Sequence, residues 1–74
     1  MIKIHFMKRS LLNNLSVRER EILPLLAEGM RYQDIAGKLH VSIETIRTHV
    51  RNIYLKLEVK SRTEALNKVY GRRV

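Results

Sequence analysis

Ser42-Ile-Glu-Thr-Ile-Arg-Thr-His-Val-Arg-Asn-Ile-Tyr-Leu-Lys-Leu57 is the stretch whose reading decides the fold. Ile43, Ile46, Val50, Ile53, Tyr54 and Leu57 recur at helical spacing, so a chain turning about 100° per residue gathers them into one apolar stripe. The same rotation sets Glu44, Thr48, Arg51 and Leu55 opposite the stripe and Arg47 and Asn52 on its flanks. Ser42 is an N-cap residue type, and its hydroxyl is expected to accept from the Thr45 amide. The segment predicts an amphipathic helix over 43–57 with its basic side chains turned outward.

The segments on either side also read as helices. Upstream, Ile35, Ala36 and Leu39 share one face of a short helix over 32–39, although Gly37 costs it ~1 kcal/mol relative to alanine. His40 and Val41 link the two helices without the glycine often found in such turns. Ser16-Val-Arg-Glu19 reads as a capping box that opens a first helix over about 16–29. Ile22, Leu23, Leu26 and Met30 follow at helical spacing, and Gly29 supplies the left-handed residue that closes it. Pro24 removes a backbone donor at a cost of ~3 kcal/mol unless the helix bends. Leu25, Leu26 and Ala27 continue the apolar pattern, so one bent helix is expected. Downstream, Ser61-Arg-Thr-Glu64 reads as a second capping box before a helix over 62–70 that carries Ala65, Leu66, Val69 and Tyr70. The expectation is an all-α, compact four-helix domain over 15–74, preceded by a flexible tail or linker over 1–14.

Composition bounds what such a domain does. At 74 residues the chain holds one modest core, too small for a cleft-bearing enzyme. No cysteine is present, which excludes disulfides, zinc fingers and thiol chemistry. His5, His40 and His49 have no metal-like spacing, no Ser, His and acid set suggests nucleophilic catalysis, and no cofactor is expected. The first nine residues contain no apolar run long enough for a signal peptide or a membrane span, so a cytoplasmic location is expected. Fifteen Lys and Arg against seven Asp and Glu leave a net charge of +8, which favours a polyanionic partner. The excess is local, with Arg47, Arg51, Lys56, Lys60 and Arg62 set against Glu58 alone in the stretch 47–62.

A short helix, a brief turn and a longer helix with outward arginines make a helix-turn-helix pattern, which many small helical domains contain merely to complete a core. Further residues sharpen it. Leu15-Ser-Val-Arg-Glu-Arg-Glu-Ile22 resembles the opening of the LuxR-type (GerE- or NarL-like) helix-turn-helix domain. Leu26-Ala-Glu-Gly29, Ile35-Ala36, Leu39, Val41-Ser42, Thr45-Ile-Arg-Thr-His49, Asn52-Ile53, Lys56-Leu57 and Arg62-Thr-Glu-Ala65 follow in the same spacing, covering Leu15 to about Tyr70. The resemblance implies a bacterial transcription regulator whose third helix enters the major groove of double-stranded DNA and whose fourth supports a homodimer on DNA. It further implies the output domain of a two-component response regulator, with a receiver domain and RNA polymerase as additional partners. A stand-alone regulator of the same family and a basic module that binds an acidic protein are the alternatives. The chain departs from the family pattern at Pro24, at Arg31 where Ser or Thr often caps the second helix, and at Glu58 where many members have glycine.

Roles follow from residue type and position. Arg47 and Arg51 lie one turn apart, and each arginine fork matches guanine O6 and N7, with phosphate contact as the equal alternative. Thr48, between them, can offer a methyl to thymine. Glu44 can accept from a cytosine amino group or simply favour the helix N-terminus. Thr45, Asn52, Lys56 and Lys60 are candidates for sugar-phosphate contact, Ser42 is first a cap, and Gln33 opens the helix that approaches phosphate in the family. His49 reads as a packing or structural hydrogen-bond residue rather than a ligand, and Tyr32 as either a phosphate neighbour or a core or rim aromatic. Leu66, Val69 and Tyr70 are candidates for a two-fold contact, against the alternative that they complete the domain's own core.

Overall fold

Serine side chains open three of the helices. A computed structural model describes residues 12–71, within which lie α1 (Val17–Ala27), α2 (Tyr32–Leu39), α3 (Ile43–Leu57) and α4 (Arg62–Tyr70) and no strand. Ser16 Oγ accepts from the Glu19 amide at 3.1 Å while the Glu19 carboxylate accepts from the Ser16 amide at 2.9 Å, the reciprocal box read from the sequence. Ser42 Oγ likewise accepts from the Thr45 amide at 3.1 Å. At α4 the box is altered: Ser61 Oγ accepts from the Glu64 amide, but the Glu64 carboxylate takes the Lys60 amide at 2.9 Å. α2 starts at Arg31 with no side-chain cap, as its departure from Ser or Thr implies.

Three helices close in the same way. In each, a left-handed residue follows the helix, one position further on at α1 than at α2 and α3, and two amide bonds run back into the last turn. After α1, Gly29 has φ +83° and the Gly29 and Met30 amides donate to the Leu26 and Leu25 carbonyls. After α2 and α3 the left-handed positions hold His40 at φ 60° and Glu58 at φ 59°. A side chain there costs about 1–2 kcal/mol. Val41 and Val59, immediately after, donate their amides to Ala36 and Tyr54 and pack against the core, which holds both turns in place. Glu58, standing where many members of the family have glycine, thus takes the strained left-handed conformation. α1 stops at Ala27, two residues short of the expected Gly29, because that glycine forms the turn rather than the last helical residue. The helix runs unbroken through Pro24, whose side is exposed.

Every other helix packs on α3. Its stripe supplies Ile46, Val50, Ile53 and Leu57, which meet Ile22, Leu23 and Leu26 of α1, Ile35 and Ala36 of α2, and Ala65, Leu66 and Val69 of α4 in one core. Residues 12 and 13 are helical, and Leu12 packs on that core beside buried Leu15. The rest of the expected tail, residues 1–11, and the basic Arg72 and Arg73 lie outside the described residues.

Candidate nucleic-acid interface

Because the inner side of α3 is consumed by the core, its outer side is what the domain presents. Glu44, Arg47, Thr48, Arg51 and Leu55 are all exposed there. The arginines differ in their surroundings. Arg47 Nη1 donates to Glu44 Oε2 at 2.6 Å across one turn, whereas Arg51 has no intramolecular partner among the described residues. Leu55 is 68% exposed on the same side, further along the helix. A single exposed leucine is ordinary at a protein surface.

The flanking candidates divide. Ser42 Oγ is taken by the Thr45 amide and lies 2.9 Å from Thr45 Oγ1, so Ser42 caps α3 and the Thr45 hydroxyl is bonded to that cap. Asn52 is half-buried, while Lys60 and Gln33 are exposed. Lys56 is committed inward: its Nζ lies 2.8 Å from Glu19 Oε1, joining the last turn of α3 to the first turn of α1. Burial alone would raise the Glu19 carboxyl. The hydrogen bonds from Lys56 and the Ser16 amide, with the positive charge of Lys56 and neighbouring His49, outweigh that and hold it below its usual value.

Arg62 is also drawn into the fold. Its Nη2 donates to the Met30 carbonyl at 3.1 Å, and its guanidinium carbon lies 5.6 Å from the centre of the Tyr32 ring. The Tyr54 phenol is pushed up to about 12 by burial and by its interaction with neighbouring Tyr32, with Arg62 opposing. Tyr32 is thus a rim aromatic in a cluster that joins α2, α3 and α4. The basic run read from 47 to 62 therefore contains two cations, Lys56 and Arg62, that serve the fold. Sequence reasoning saw Glu19 only as a cap, and no local pattern marked its tie to Lys56.

Of the residues read for a two-fold contact, Leu66 and Val69 are 9% and 2% exposed and belong to the domain's own core. They are spent on internal packing, because α4 needs its one apolar face to dock on α3. Tyr70 is 37% exposed. His49 is half-buried, and its Nδ1 is buried without a hydrogen-bond partner. Among the described residues no group of His, Asp and Glu has metal-binding geometry, and no helix is long and apolar enough to cross a membrane.

Comparison with known proteins places this geometry. Residues 13–69 match the family model for bacterial regulatory proteins of the luxR family. The chain is 52% identical over 52 residues to the response regulator protein VraR of Staphylococcus aureus strain Mu3, and equally to those of Staphylococcus saprophyticus and Staphylococcus epidermidis. Those alignments cover 70% of this chain and 25% of each relative, so it matches about a quarter of their length. No solved structure matches it. A match over nearly the whole helical unit, capped and packed as described, shows that the chain belongs to the LuxR family of bacterial regulatory proteins.

Proposed function

We propose that the chain is the sequence-specific DNA-binding output domain of a two-component response regulator, acting in the cytoplasm with α3 in the major groove. The observation that carries this reading is the outer side of α3, where Thr48 and Arg51 are exposed across the helix from a stripe locked into the core and Arg47 is exposed on its flank. An α-helix fits the major groove, and arginine forks there read guanine. Arg51 and Arg47 are assigned to bases and Thr48 to a thymine methyl. Thr45, Asn52, Lys60 and the start of α2 at Gln33 are assigned to the sugar-phosphate backbone, with Ser42 ordering the helix start. Lys56 reaches phosphate only with the N–H groups that Glu19 leaves over.

The similarity to response regulators supports a receiver domain and RNA polymerase as partners. The domain acts as a monomer in dilute solution that pairs on DNA carrying two half-sites. Tyr70 is its contact, because Leu66 and Val69 are buried.

Selection from random duplexes tests the reading and should enrich one motif, followed by titration of that duplex, random DNA and an acidic polypeptide at fixed salt. Equal affinity for all three would replace the proposal with a basic module for acidic partners. Equilibrium sedimentation with and without a two-half-site duplex tests the pairing, and a tight dimer without DNA would contradict it.

A further inference from the structure

Two arginines one turn apart on the outer side of α3 would be interchangeable by charge, yet only Arg47 carries a carboxylate. Glu44 Oε2 holds Arg47 Nη1 at 2.6 Å, and both side chains are mostly exposed. On a free surface such a pair adds little to stability, so its significance lies elsewhere. A guanidinium has two edges that present parallel N–H groups. A carboxylate at Nη1 leaves the Nε–Nη2 edge free, and that edge can span guanine O6 and N7. The carboxylate also offsets part of the charge of Arg47, which weakens its attraction for phosphate. Phosphate binding is sequence-blind and salt-dependent, whereas base reading depends on geometry.

We infer that Glu44 is a specificity-determining residue: it positions Arg47 for a base and withholds it from the backbone, whereas unpaired Arg51 is left to either. The inference rests on the proposed DNA-binding reading. It makes Glu44 act through Arg47 rather than by a base contact of its own.

The test uses the whole chain as wild type, Glu44→Gln, Arg47→Ala and the double variant. Each is titrated against the selected duplex, all its single-base-pair variants and a random duplex over a range of salt. Glu44 is exposed, so Glu44→Gln should unfold as the wild type does. Its expected signature has two opposite parts. Affinity for random DNA rises and its salt dependence steepens by about one phosphate contact. Discrimination falls by about tenfold at the one base pair where Arg47→Ala also loses it. In the double variant Glu44→Gln should add nothing to Arg47→Ala at that position.

Three outcomes would overturn the inference: an equal affinity gain on every duplex, a loss at a different base pair, or full additivity with Arg47→Ala. A wild-type chain that prefers no duplex would instead sink the DNA-reading proposal itself, so the two failures are distinguishable.

Discussion

Arg51 and Arg62 carry the same guanidinium, yet one faces water from the outer side of α3 and the other lies over Tyr32 with its Nη2 on the Met30 carbonyl. Lys56 sides with Arg62, since its ammonium is held by a carboxylate that is almost fully buried. A run of basic residues is therefore not one surface. Part of it is available to a partner and part is mortar between helices.

Replacing Arg62 should separate the two classes most sharply. Arg62→Ala removes a charged hydrogen bond and a cation–π contact, for an expected loss of about 2–3 kcal/mol in urea denaturation. A loss under about 0.5 kcal/mol would return Arg62 to the ordinary surface. Arg51→Ala should do the reverse. Its stability should stay within about 0.5 kcal/mol of wild type, while binding to the preferred duplex weakens by about 1–3 kcal/mol. Equal weakening on random DNA would assign Arg51 to phosphate.

Lys56→Met should cost about 1–2 kcal/mol of stability, less than a fully buried pair would, because the Lys56 side chain is 39% exposed and water screens it. The same pair sets an acid limit. Glu19 titrates below its usual 4.5 in the fold, so the unfolded chain binds more protons there. Its stabilisation is complete above about pH 4.5 and disappears as pH falls through the lowered value. Thermal melts of Glu19→Gln should have a flatter acid limb, and an unchanged limb would exclude Glu19 as its source. The smallest effect is expected at Glu58→Gly. Relief of the left-handed strain outweighs the extra freedom of an unfolded glycine by about 0.5 kcal/mol, a gain readable as a raised midpoint.

The same division explains what the sequence could reveal. Ser16 with Glu19, Ser42 with Thr45, and the stripe from Ile43 to Leu57 are signals confined to a few neighbouring residues, and they locate the helices almost to the residue. Lys56 with Glu19 and Arg62 with Met30 join positions 37 and 32 residues apart, and nothing local to either partner announces the other. His40 and Glu58 lie between these cases. The need for a left-handed residue is visible as a missing glycine, but the chain meets it through Val41 and Val59, whose packing appears only in three dimensions. Leu66 and Val69 were ambiguous for a similar reason. One apolar face on α4 serves an internal core or a partner equally well until its neighbours are known.

The central place of α3 has one more consequence. A helix gripped from behind by three others cannot be tilted or rotated by a modest push, because close-packed interiors shift between discrete arrangements rather than deform smoothly. The reading surface therefore behaves as a rigid stamp. Whatever governs its use must uncover it, move it as a unit, or bring copies together, and cannot work by reshaping it.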